Sequence, residues 1–344
     1  MRISEFDYEL PSSSIAQEAI EPRDHAHLMR LPRHEGPPTD HVFRDLPGLL
    51  RPTDLLVVNR SRVFPARLLG RREGGGGAEV FLLRDLGDDR WQALVRPGRR
   101  LRPGARVIVD PGLTVVVESA AVGPEGRRIV QLRAEAGSVE AALERAGHVP
   151  LPPYIRRPDR PEDRARYQTV FAREKGSVAA PTAGLHFTPA LLEALRAAGI
   201  RTAEVVLHVG PGTFRPVTAD EVEDHHLEAE PYVVPEETAD AIAATRAAGG
   251  RVVAVGTTVV RTLEAAARDD GLVPAGAGET ALVVRPGFTF RVVEALVTNF
   301  HLPRSSLLLL VAAFAGRERI LAAYAEAVRR GYRFYSYGDA MLIE

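Results

Sequence analysis

Histidine is the side chain best suited to move protons near neutral pH. Three of the ten histidines here stand in polar or glycine-bearing segments that follow apolar runs. His186 lies in residues 177–188, which open Ser-Val-Ala-Ala-Pro and close on Thr-Ala-Gly-Leu-His-Phe-Thr. His208 opens His-Val-Gly-Pro-Gly-Thr-Phe, and His301 lies in Thr298-Asn-Phe-His-Leu-Pro. A fourth segment, Gly256-Thr-Thr, opens a helical pattern that carries Arg261. Each histidine reads either as a general acid or base or as a hydrogen-bonded core residue. The run Asp224-His-His-Leu-Glu-Ala-Glu is denser. It reads as metal ligands, as a solvated surface, or as a polar face where Glu228 and Glu230 bind a cation or take a proton. Its spacing matches no standard metal signature, so no metal is expected.

These residues need elements to hold them. From residue 178 onward the chain alternates apolar runs with helical patterns. Strands are expected at 178–180, 203–209, 252–255, 281–284 and 294–298, with helices at 189–198, 236–248, 259–267, 305–315 and 317–330. That alternation predicts α/β packing around a mostly parallel sheet. Thr188 is the expected N-cap, and Pro189 the first residue, of one helix. The four polar segments would then gather at one end of the sheet, where such folds bind ligands. Between residues 66 and 134 the texture differs. Six short β-rich runs (66–71, 78–83, 91–95, 106–109, 114–119, 129–133) are separated by Gly, Pro and Asp turns. This predicts a small antiparallel β-barrel inserted in the α/β unit. The division is residues 60–148 for the insert, and 1–59 with 149–344 for the discontinuous α/β catalytic domain.

Length and composition set bounds. A chain of 344 residues, 45% hydrophobic and 26% charged, is ordinary for a globular protein with a sizeable core. Without cysteine there is no disulfide, thiolate metal site or thiol catalysis. No apolar run approaches membrane-span length and the first residues carry no signal-peptide pattern, so a cytoplasmic, membrane-free protein is expected. A net charge of −1 supplies no global attraction for nucleic acid. Yet Lys175 is the only lysine among 44 basic side chains. Any phosphate contact must therefore use guanidinium groups. Arginines cluster at 60, 62 and 67, at 96, 99, 100 and 102, and at 156, 157, 160, 164 and 166.

The chain resembles the S-adenosylmethionine:tRNA ribosyltransferase-isomerases of queuosine biosynthesis. The resemblance rests on residues 6–11, 57–67, 167–171 with 177–188, 208–214, 255–264, 298–303 and 336–343, in the family's order from end to end. One stretch departs: where the family has His-x-Met-His-x-Glu, this chain has His225-His-Leu-Glu-Ala-Glu, with Glu228 at the second histidine. The resemblance implies an α/β domain with an inserted barrel. It implies transfer of the ribosyl carbons of S-adenosylmethionine to 7-aminomethyl-7-deazaguanine in the tRNA anticodon. The product is epoxyqueuosine, and adenine and methionine leave. S-adenosylmethionine is then a co-substrate and the tRNA a partner; a monomer is expected. On that reading His186, His208, His301 and Glu230 are the catalytic candidates. Thr182, Ala183, Gly184, Gly210, Gly212, Thr213, Thr257, Thr258 and Asn299 are candidates for binding S-adenosylmethionine. Arg60, Arg62, Arg67, Arg261, Tyr337 and Asp339 would meet the tRNA or its cationic amine. Tyr154, Phe187 and Phe214 are further stacking candidates. A noncatalytic RNA-binding protein, a metal-dependent hydrolase using His225, His226 and Glu228, and a small-molecule S-adenosylmethionine enzyme are the alternatives.

Overall fold

A strand apolar at every position must be covered on both faces. Leu55–Asn59 and Val252–Val255 are such strands, buried throughout. The structure, a computed structural model, describes residues 1–110, 112–123, 125–210, 212 and 217–344. It places these two strands side by side in a nine-stranded sheet. The order is Gly276–Thr280, Glu230–Val234, Arg201–Leu207, Leu55–Asn59, Val252–Val255, Ala295–Asn299, Ala340–Ile343, His27–Leu31 and Thr39–Val42. The four strands from Arg201–Leu207 to Ala295–Asn299 run parallel. Ala340–Ile343 is antiparallel to Ala295–Asn299 and parallel to His27–Leu31, and the outer pairs are antiparallel. The α/β class holds, with parallel order at the centre of a mixed sheet.

Successive side chains of a strand face opposite ways. Leu55 and Val57 pack with the helices Glu236–Ala247, Thr257–Ala266, Ser306–Ala315 and Arg317–Arg329. Leu56 and Val58 pack with Leu46–Leu49 and Pro189–Ala197. Thr188 caps the latter helix as its sequence indicates, its Oγ1 accepting from the Leu191 N–H at 3.1 Å.

The six β-rich runs form a closed antiparallel barrel in the order Arg128–Ala134, Arg90–Arg96, Gly77–Asp85, Arg67–Arg72, Arg106–Asp110, Leu113–Val117. It has its own core, which includes Leu68, Val80, Leu82, Val107, Val115 and Val130. Ala142 and Leu143 of the helix Val139–Ala146 pack onto that core.

Two expected strands are corrected. Residues 178–180 are buried but irregular; the strand is Glu174–Ser177, paired only with Ser61–Val63 and outside the large sheet. Its ladder ends because Val178 N–H donates to Val209 O instead. Residues 281–284 are not a strand either; Gly276–Thr280 is. Leu282 gives its N–H to Thr280 Oγ1 and its carbonyl to Arg261, leaving nothing for a ladder. The strands His27–Leu31, Thr39–Val42, Ser61–Val63, Glu230–Val234 and Ala340–Ile343 were not expected.

Candidate active site

A cavity of about 550 Å³ opens between the barrel and the end of the Arg201–Leu207 strand. Leu83, Arg84, Gln92 and Arg127 line it from the barrel; His208, Gly210, Gly212 and residues 227–231 line it from the α/β side. Lys175 and Gly176 close a third edge. His208 is half-buried there, and its Nδ1 is buried without a hydrogen-bond partner. Burial pushes its pKa below the usual imidazole range, against a smaller upward pull from Glu174. The ring is thus neutral at pH 7, and no partner fixes its Nδ1. Gly176 makes the room: its φ is +144°, and a Cβ there would sit 2.6 Å from His208 Nδ1.

Glu230 stands on the same wall, buried. Its Oε1 accepts from the Gly210 N–H at 2.7 Å and its Oε2 from Arg261. Arg261 also donates from Nε to Leu282 O at 3.0 Å and from Nη2 to Thr280 O at 3.3 Å. A buried carboxylate is held this way only with its charge compensated. The pair braces the backbone at Gly210. Asn59, at the end of a central strand, holds the backbone of Leu207. Its Oδ1 accepts from Ser61 N–H and Leu207 N–H at 2.9 and 3.2 Å. Its Nδ2 donates to Leu207 O at 3.0 Å and to Thr258 Oγ1 at 3.4 Å.

His186 lies in a second group. It ends the short helix Thr182–His186, stacks on Phe43 at 4.8 Å, and accepts at Nε2 from Asn299 Nδ2 at 3.1 Å. A further hydrogen bond joins it to the Arg23 backbone. Burial pushes its pKa down to about 4. The void beside it is about 10 Å³, room for one water at most. Asn299 Nδ2 also donates to Tyr335 O and Asp339 O, while its Oδ1 is buried without a partner. Ala183 and Gly184 are buried and Thr182 half-buried. Gly184 is fixed by packing, since a Cβ there would lie 2.9 Å from Thr169 Cγ2. Thr257 and Thr258 are buried at the first turn of Thr257–Ala266, after Gly256 at φ +90°. A Cβ on Gly256 would lie 3.5 Å from Ala183 Cβ, so the Gly256-Thr-Thr and 177–188 segments touch here.

His301 is away from both voids. Its Nε2 is 2.9 Å from Thr298 Oγ1, and burial pushes its pKa down to about 3. Asp339 is buried, with its oxygens accepting from His27 N–H and Arg333 N–H. Tyr337 is buried against Tyr167 with its hydroxyl toward Asp163. Phe187 is fully buried, and the Tyr154 hydroxyl meets Ser336 Oγ. Arg60 pairs with Glu174 and Glu204, and Arg67 with Glu79; Arg62 is exposed. Thr213 and Phe214 lie outside the described residues. Among the described residues no group of three or more His, Asp or Glu side chains is placed to hold a metal, and His225, His226 and Glu228 do not converge. Glu228 is instead paired with Arg127 of the barrel. No described helix is long and apolar enough to cross a membrane.

Three participants escaped the sequence reading. Asn59 carried a signal, a polar residue closing an otherwise apolar strand. Gly176 and Arg127 carried none, because their partners are 32 and 101 residues away.

An α/β sheet whose strand end meets a closed barrel across a polar cavity is an arrangement suited to a composite site. A family model for queuosine biosynthesis proteins matches residues 3–343, and the chain belongs to that family. It is an enzyme of the transferase and isomerase kind. It is 55% identical over 344 residues to an S-adenosylmethionine:tRNA ribosyltransferase-isomerase of Moorella thermoacetica, covering 100% of both chains. Its identity to the protein of that name from an Anaeromyxobacter species is 56%, covering 100% of this chain and 99% of the other. Among solved structures, an S-adenosylmethionine tRNA ribosyltransferase from Thermotoga maritima matches with a TM-score of 0.57 and 41% identity. That match covers 99% of this chain and 100% of the other.

Proposed function

We propose that this protein transfers and isomerises the ribosyl moiety of S-adenosylmethionine onto 7-aminomethyl-7-deazaguanine in tRNA, giving epoxyqueuosine and releasing adenine and methionine. The observation that carries this reading is the cavity between barrel and sheet, with a neutral, incompletely partnered His208 on its wall. The relatives' shared name supports the donor and the tRNA. A sulfonium acidifies the neighbouring C–H, and a neutral imidazole in a partly dry cavity is a fitting base for it. His208 takes that role in this account. His186 and His301 are neutral anchors whose ring hydrogen bonds hold the strand ends. Glu230, held by Arg261 and the Gly210 N–H, braces the cavity wall that the cationic aminomethyl group would meet. Gly210, Gly212, Thr257 and Thr258 supply backbone and hydroxyl groups around the donor. Asp339 spends its oxygens on backbone N–H groups and braces the 333–339 turn.

A tRNA substrate places the activity in the cytoplasm. Residues 60–148 form the inserted unit, and the cavity lies along its junction with the rest. The test is incubation of wild type and His208→Gln with S-adenosylmethionine and tRNA bearing the deazaguanine precursor. Wild type forms adenine and the modified nucleoside; His208→Gln is at least ~100-fold slower with unchanged tRNA affinity. Wild-type protein that forms neither product overturns the reading. A His208→Gln rate within tenfold of wild type removes His208 from proton transfer.

A further inference from the structure

Guanidinium groups already bound to carboxylates are poor phosphate ligands, so the ion pairs sort the three arginine clusters. In the first, Arg60 and Arg67 are paired with glutamates. In the third, Arg157, Arg160 and Arg166 are paired with Asp163, Glu18 and Glu21. The second differs. Arg96, Arg99, Arg100 and Arg102 are all exposed, and none has a guanidinium hydrogen bond or ion pair among the described residues.

This cluster is held firmly. Leu101, between the arginines, is fully buried in the barrel core. Arg128 Nη2 donates to Gly98 O at 2.9 Å, and the N–H groups of Arg100 and Leu101 donate to Pro97 O. Four free cations thus sit on a pinned turn, an arrangement suited to an anionic backbone.

A groove of about 730 Å³ runs beside the turn. Arg96 and Arg156 flank it, and Phe81, Leu94 and Ile155 give it an apolar floor. Of its carboxylates, Glu79 is paired with Arg67, and Asp159 accepts from the Val149 N–H and contacts His148 Nδ1 at 2.9 Å. The groove and the active-site cavity are lined from neighbouring stretches of the barrel. Phe81 lines the groove and Leu83 and Asp85 line the cavity, along the same barrel strand Gly77–Asp85. Four residues of strand span about 13 Å, the reach of a few nucleotides.

We propose that the 96–102 turn and the adjoining groove form the RNA-binding surface of the protein. The turn would hold phosphates flanking the nucleotide that enters the cavity, and the groove would accept an unstacked base over Phe81. This rests on the reading that tRNA is the substrate. It moves phosphate recognition from Arg60 and Arg67, which the ion pairs occupy, to the barrel.

The experiment compares tRNA binding and turnover of wild type, Arg99→Glu/Arg100→Glu, and a control reversal at distant exposed arginines, Arg196→Glu/Arg268→Glu. The first pair weakens tRNA binding at least ~10-fold near 100 mM salt. It lowers the slope of log affinity against log salt by roughly one to two units. The KM for S-adenosylmethionine and the kcat at saturating tRNA stay within about twofold, and the control pair binds as wild type. The neutral pair Arg99→Gln/Arg100→Gln moves the same way by less, which holds the test should the reversal disturb folding. Wild-type affinity and salt slope in both Arg99/Arg100 variants, with wild type still forming product, overturns the surface and leaves the function intact. Wild type that neither binds nor modifies tRNA overturns both.

Discussion

At the residue scale the three histidines divide by environment rather than by neighbouring sequence. His186 and His301 are buried with hydrogen-bonded rings, whereas His208 lines a cavity and its Nδ1 is buried against Gly176 without a partner. Burial depresses the pKa of His186 to about 4, below the ~6.5 of an unfolded histidine. Between those values the unfolded chain binds the proton and the folded chain does not, so stability falls as pH drops from 6.5 toward 4. His186 alone costs about 2 kcal/mol between pH 7 and 5. Urea unfolding of His186→Gln shows a correspondingly flatter pH dependence; an unchanged one contradicts a neutral buried ring. Gly176→Ala tests the other histidine. A Cβ 2.6 Å from His208 Nδ1 must displace the ring, so turnover drops at least ~10-fold while tRNA affinity holds. Wild-type turnover from Gly176→Ala would mean that the His208 position does not matter.

At the element scale the site depends on how strand ends are tied together. Asn59 satisfies both backbone groups of Leu207 and the N–H of Ser61, and Ser177 Oγ bridges Ser61 Oγ and the Val209 N–H. Asn59→Ala leaves several buried polar groups unpaired, at about 1–3 kcal/mol for each one. A loss of roughly 2–4 kcal/mol in urea unfolding is expected, with turnover falling as the backbone after Leu207 loosens. The sequence was informative about such elements where periodicity and capping were local. All six barrel strands and the helix begun by Thr188 and Pro189 follow from short-range pattern. It was uninformative where an element takes its form from a distant partner. Residues 178–180 are as apolar as a central strand, yet Val209 claims the Val178 N–H and ends the ladder. The sequence marked the four polar segments but not how they divide; that His186 belongs to a filled core and His208 to a cavity is decided by Gly176, Arg127 and Phe43.

At the scale of the whole molecule the cavity exists only because the barrel meets the sheet. Arg127 spans that junction, bonding Gln92 and Glu125 on its own side and Glu228 across it. Glu228 is 60% exposed, so the pair is worth no more than about 1 kcal/mol. Arg127→Ala therefore raises the KM for S-adenosylmethionine by no more than about fivefold, with kcat little changed. Adding Glu228→Ala costs nothing further. A 100-fold effect would place Arg127 on substrate instead. The account as a whole stands on one reaction in one composite site. Its most direct test is a single-turnover time course of wild-type protein with S-adenosylmethionine and precursor-bearing tRNA, following adenine and modified nucleoside in the same samples. The account predicts equal amounts of the two, with adenine release dependent on the RNA. Adenine release independent of RNA, or adenine without the modified nucleoside, would contradict it.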